Sequence, residues 1–170
     1  MALKEVDIKG LSFNPCVDIE ENWMLITAGD GSRHNAMTAN WGGVGVLWGS
    51  PVATVYIRQS RYTKEFVDAN EKFTIGFYDP EKYFEQLAYL GRVSGRDEDK
   101  LAAVGFHAVP VDGTTTFEEA HLTLVCRKAY AKFLDADGFV PGSADDAKWY
   151  SDHDYHTMYI AKIEHAYVNE

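Results

Sequence analysis

The stretch "NAMTANWGGVGVLWGSPVATVYIRQSRYTKEF", Asn35 to Phe66, decides how this chain is read. Its centre, "PVATVYI" at 51–57, is short, rich in β-branched residues and bounded by turn-forming ones, which marks a strand. Upstream, "NAMTANWGGV" at 35–44 reads as a second strand. Alternation along it sets Thr38 and Asn40 on one face and Met37, Ala39 and Trp41 on the other. Downstream, "RQSRYTKEF" gathers Arg58, Gln59, Ser60, Arg61, Tyr62 and Thr63 where the strand gives way to a helix. Small residues followed by a basic, hydroxyl-bearing helix start suit a long ligand, flat at one end and anionic at the other.

The same alternation recurs elsewhere. "NWMLITA" at 22–28, "KFTIGFY" at 72–78, "HLTLVCRKAYAKFL" at 121–134 and "HTMYIAKIEHAYV" at 156–168 read as strands, with "GDGS" at 29–32 as a hairpin turn. Short helices are expected over 63–70 and over 80–91, the latter opened by Pro80 and Glu81 and stopped at Gly91. A third covers "DEDKLAAVG". Close-set strands with few helices predict a mainly β protein, an antiparallel barrel with peripheral helices.

At 170 residues, one domain over 1–170 is expected, with enough apolar residues (46%) for a core. A net charge of −10 excludes non-specific binding to nucleic acid or to an anionic membrane surface. An anionic ligand therefore needs a local basic pocket. Cys16 and Cys126 are too far apart for a metal or redox motif and read as reduced thiols of a cytoplasmic protein. "MALKEVDIKGL" has no apolar run of the kind a signal peptide or membrane span requires. Gly43-Val44-Gly45 resembles a dinucleotide fingerprint only in part, because Trp48 stands where the third glycine belongs and strand follows.

The anionic end rests on the helix start. Unpaired N–H groups there favour anions, and Arg58, Arg61, Ser60 and Thr63 add forked, charge-assisted donors suited to phosphate. Thr63 is expected as the N-cap, with Tyr62 and Phe66 turned inward. The alternative is that Ser60 and Thr63 only cap and the arginines are surface charges. The flat end rests on Met37 to Trp41, whose small residues let a ring approach the backbone. The alternative there is ordinary barrel packing. In "GRVSGRDEDK", 91–100, Ser94 and Gly95 make a tight loop, and Arg96 and Lys100 bring cations that either complete an anion site or face solvent.

These residues together resemble the flavin reductase-like family of FMN-binding split barrels, and its flavoredoxin branch most. The matching blocks are "DGSRHNAMTANWGGVGVLWGSPVATVYIRQSRYTKEF", "FTIGFY", "GRVSGRDEDK" and "DYHTMYIAKIEHA". The resemblance implies a homodimer holding FMN non-covalently, reduced by NADH or NADPH and passing electrons to an acceptor. Carried over by position, it places Met37, Thr38, Ala39, Asn40 and Trp41 along the ring system, and Arg58, Gln59, Ser60, Arg61, Tyr62 and Thr63 about the phosphate. Ser94, Gly95 and Lys100 would close the site. The family's Gly-Glu pair is replaced here by Ala161-Lys162. His156 is the one candidate for a catalytic side chain, with a buried or interface role as the alternative. Asp152, Asp154 and His156 fall on one face of an extended segment and His153 on the other, so no metal site is expected. Another class of reading remains, a non-catalytic barrel that stores, senses or delivers a flavin or a haem, with His34, His107, His121 and His156 as possible axial ligands.

Overall fold

A strand that is apolar at nearly every position is buried on both faces, and "MLITAG" at 24–29 is such a run. The computed structural model describes residues 3–169. Met1, Ala2 and Glu170, also spanned by the single-domain expectation, lie outside the described residues. The chain runs through β1 (Leu3–Val6), α1 (Pro15–Asp18), β2 (Met24–Asp30), β3 (Arg33–Ala39), β4 (Gly42–Leu47), β5 (Ser50–Arg58), α2 (Tyr62–Ala69) and β6 (Lys72–Phe77). It continues through α3 (Pro80–Arg92), α4 (Lys100–Val104), β7 (Ala108–Val111), β8 (Thr114–Phe117), β9 (Leu122–Phe133), α5 (Asp145–Trp149) and β10 (His156–Asn169).

The principal sheet is antiparallel and has the order β3-β2-β6-β9-β10-β5-β4, with β1 pairing β10 beside this path. Strands β3 and β4 follow each other in the chain yet stand at opposite ends of the path. Asn40 and Trp41 join them, a link that spans about 11 Å at most. The sheet must therefore curl until its two edges meet at that end. The chain, and not a hydrogen-bonded ladder, makes the closure, and the fold is a split β-barrel. The single strand expected over 35–44 is corrected accordingly. It is two strands, and alternation stops at Ala39, where the chain turns from one edge to the other.

Met24, Ile26 and Ala28 of β2 point into the barrel with Val55, Ile57, Phe73, Ile75, Phe77 and Leu124. Leu25 points the other way, into a second core with Leu87, Leu90, Phe106 and Phe117. Full burial of such a side chain contributes about 1.5–3 kcal/mol. The β7–β8 hairpin covers this outer face, and Thr74 and Thr115 fasten it. The Thr74 hydroxyl donates to the Thr115 carbonyl at 2.6 Å and the Thr115 hydroxyl to that of Gly29 at 3.0 Å.

The helix ends follow side-chain chemistry. Asp79 caps α3 by accepting from the Glu81 N–H, with Pro80 in the first turn. Asp99 caps α4 in the same way through the Ala102 N–H, and Gly105 ends it at φ 72°, a left-handed conformation suited to glycine. Gly91 does not stop α3, which runs on to Arg92. A Cβ on Gly91 would lie 3.2 Å from the Thr38 Cβ, so its role is close approach of α3 to β3. Among the described residues, no helix is long and apolar enough to cross a membrane.

Candidate functional site

Two adjoining cavities bring the central stretch together. One, of about 140 Å³, is walled by Met37 to Trp41, Tyr56, Arg58, Arg61 and His156. The other, of about 200 Å³, lies at the start of α2 between Asn35, Met37, Ser60 to Thr63 and the Arg92–Gly95 loop, with Lys100. Met37 and Arg61 line both, so the cavities meet there. A larger hollow of about 500 Å³ shares Asn35, Tyr62, Gly95 and Lys100 with the second and opens toward Arg33, His34 and Phe106.

The start of α2 is open to an acceptor. Its N-cap is Arg61, which makes no side-chain capping bond. The expectation that Thr63 is the N-cap is thereby corrected. Thr63 sits inside the first turn, is buried, and its hydroxyl receives a 2.7 Å bond from the Asn35 amide. An uncapped helix start leaves N–H groups and partial positive charge facing the cavity. Gly95 shapes the opposite wall. A Cβ there would come within 2.1 Å of the Asn35 Oδ1, which is itself buried. Arg96 clasps this loop to α2 by donating to the Ser60 carbonyl at 3.2 Å, pairing with Glu65 and lying over the Tyr62 ring. Arg61, Ser94 and the first-turn amides, which have no partner among the described residues, fit a phosphate group, whereas the hydroxyl and N–H of Ser60 both donate to the Asp154 carboxylate.

The two arginines of "RQSR" part company. Arg61 donates to the Gly91 carbonyl at 2.8 Å and remains in the wall of both cavities. Arg58 turns to the end of α5 and the segment after it, donating to the carbonyls of Trp149 and Asp154, each at 2.9 Å, and meeting the Asp152 carboxylate at 3.4 Å. The Gln59 amide reaches the Tyr155 carbonyl and the Thr157 hydroxyl. Lys100 is buried, and its ammonium donates to the Leu90 and Val93 carbonyls at 2.8 and 3.0 Å, satisfying the end of α3. Burial and then Arg61 bring its pKa down to about 8, leaving it charged at neutral pH.

On the flat side, the Thr38 hydroxyl is taken by the Leu87 carbonyl at 2.5 Å. Asn40 is exposed. Trp41 forms an aromatic wall, edge-on to Trp149 at 5.1 Å and tilted against His156 at 5.1 Å. His156 is buried, and its Nδ1 lies 2.8 Å from the Tyr150 hydroxyl. Burial first, then Arg58, lowers its pKa to about 4, so the imidazole is neutral. Asp152 and Asp154 serve Arg58 and Ser60. Of the other histidines, His107 pairs with Glu119 and His34 contacts the Asp30 carbonyl.

Tyr56 and Tyr150 escape the sequence reading. Tyr56 was legible, because alternation from Arg58 along β5 puts it on the same face, and register sets Arg58 opposite His156. Tyr150 had no local signal, since a non-repetitive loop delivers it.

Comparison with known proteins agrees with the fold. The family described as "Flavin reductase like domain" matches residues 18–170. The Escherichia coli (strain K12) protein YddH is 32% identical over 136 residues, covering 74% of this chain and 70% of the relative. Among solved structures, an FMN-binding domain of a flavin reductases-like enzyme from Shewanella baltica superposes with a TM-score of 0.68 at 17% identity, over 99% of this chain and 78% of that one. A flavoredoxin from Methanosarcina acetivorans gives 0.67 at 23% identity, over 88% and 69%.

Proposed function

The chain belongs to the flavin reductase-like domain family, and from that premise we propose an FMN-dependent oxidoreductase that takes electrons from NADH or NADPH. The family supports a flavin-related redox function. The observation that carries the finer reading is the joined pair of cavities, flat and aromatic-walled at one end and open to anions at the other.

In this reading Met37 to Trp41 lie along the ring system, with Tyr56 and His156 beside them. Arg61, Ser94 and the first-turn amides of Tyr62 and Thr63 hold the phosphate, and Ser60, bonded to Asp154, shapes the turn before them. Gly95 leaves room between them, and Lys100 supports the site through α3. Arg58 orders the 149–154 segment at the rim, and Gln59 fixes the start of β10. FMN, when bound, would supply the redox chemistry between a nicotinamide donor and an electron acceptor. The protein's part is to orient the ring, exclude water with Trp41 and Trp149, and bias the potential through nearby cations and N–H donors.

The proposal extends to one domain acting as a homodimer in the cytoplasm. Support comes from Val46, Leu47 and Trp48, which are exposed at the β4–β5 turn, and from two cysteines that form no disulfide. Anaerobic stopped-flow mixing of the FMN-loaded protein with NADH and with NADPH tests the reaction. Bleaching of the flavin by either supports the enzyme. No bleaching by both would replace it with an electron carrier fed by a partner reductase.

A further inference from the structure

Among the described residues, the neutral His156 is the one imidazole lining the flat cleft, and which of its nitrogens carries the proton determines what it offers a ligand. Its Nδ1 faces the Tyr150 hydroxyl at 2.8 Å, and both residues are buried. Two arrangements satisfy that contact. Either the phenol donates to Nδ1 and the proton resides on Nε2, or Nδ1–H donates to the phenol oxygen. A phenol is a better donor than acceptor, and an unprotonated imidazole nitrogen is a strong acceptor, so the first pairing is the stronger. In the second, the phenol proton would need another acceptor, and Tyr150 makes no other side-chain hydrogen bond among the described residues. Nε2 is not sealed in, since among the described residues the buried side-chain polar atoms without partners are Tyr78 Oη and Asn169 Oδ1.

We propose that Tyr150 is a positioning residue whose hydroxyl donates to His156 Nδ1 and holds the proton on Nε2. The cleft then presents an N–H donor to a ligand edge that carries an acceptor, a carbonyl oxygen or an unprotonated ring nitrogen, and disfavours an edge that carries a donor. Ring packing holds Tyr150 for this task. It stacks on Tyr155 at 4.6 Å and lies under the Arg58 guanidinium at 5.3 Å. Arg58 and Arg61 oppose protonation of His156, and Asp152 and Asp154 favour it, with burial deciding for the neutral ring. Burial likewise keeps the Tyr150 phenol protonated by raising its pKa.

The identity of the bound ring rests on the flavin reading above, but the tautomer is a property of the chain alone. Long-range ¹H–¹⁵N correlation spectra of the full chain, labelled at histidine, read it directly, with His156 assigned by its loss in His156→Gln. The expected pattern at neutral pH is a protonated Nε2 and an unprotonated, hydrogen-bonded Nδ1. A protonated Nδ1, or an imidazolium, would overturn the proposal. FMN affinity in a double-mutant cycle then tests the link. Tyr150→Phe keeps the ring and should weaken binding about fivefold, the worth of one neutral hydrogen bond, yet should have no effect in a His156→Gln background. An equal loss in both backgrounds would show that Tyr150 does not act through His156. Were the wild-type chain to bind no FMN, the flavin reading would fall while the nitrogen spectrum still decided the tautomer.

Discussion

The Asp154 carboxylate receives two hydrogen bonds from Ser60, one from the backbone N–H at 3.2 Å and one from the hydroxyl at 2.5 Å. A carboxylate therefore already sits beside the helix start that the proposed function assigns to a phosphate. The like charges repel, and Asp154→Asn keeps the shape while removing the charge. FMN should bind this variant more tightly, by up to about fivefold, the scale of about 0.2–1 kcal/mol for exposed charge pairs. Isothermal titration at low and high salt checks it, with the gain shrinking as salt rises. Weaker binding would mean that the carboxylate orders the site more than it repels the ligand.

Arg61 is the cation that both cavities share. Replacing it with Ala removes charge-assisted bonds to the phosphate, each worth about 1.5–3 kcal/mol. The expected loss of FMN affinity is tenfold to a hundredfold, with little change for a flavin that lacks phosphate. Arg58→Ala should act differently, loosening the 149–154 segment that Arg58 holds. Limited proteolysis of that segment separates the two variants.

Gly95 has no room for a side chain, because a Cβ would meet the Asn35 Oδ1 at 2.1 Å and the Tyr62 ring at 3.3 Å. Asn35 is buried and bonded to Thr63, so it yields poorly. Gly95→Ala should cost about 1–3 kcal/mol of stability, as overpacking does, and should also weaken FMN binding. Urea unfolding measures the first effect. An unchanged midpoint would show that the loop swings clear.

His156 titrates near pH 4 in the fold, against an ordinary value of 6.5. Between those values the unfolded chain binds more protons than the folded one, so stability rises with pH across the window. The neutral imidazole costs nothing above pH 6.5, and folding loses ground as pH falls toward 4. His156→Gln should flatten this part of the profile. Parallel profiles for the two proteins would place the histidine in solvent.

Much of this was legible along the chain. The long strands, the Gly31-Ser32 turn and the helices over 62–69, 80–92 and 100–104 follow from local pattern, and they appear within one to three residues of where they were expected. What local pattern could not reveal is the break at Asn40 and Trp41. The alternation of residue types runs on through it although the strand itself ends at Ala39, and only closure of the barrel demands the turn. The β7–β8 hairpin had a signal in Asp112-Gly113, both at positive φ. β1 is four residues long and half polar, and it exists because β10 offers it an edge. In the site, the run from Met37 to Thr63 was readable because it is contiguous. The partners of Arg58 and Ser60 lie more than ninety residues away, and nothing local to Lys100 shows that this residue of the second cavity also donates to the end of α3.

The most direct test is the visible spectrum of the purified protein after incubation with FMN and removal of the excess by gel filtration. A retained flavin band at about one FMN per chain, lost in Arg61→Ala, is the expected result. A colourless protein that takes up no FMN would contradict the cofactor and the site together, and only the barrel would stand.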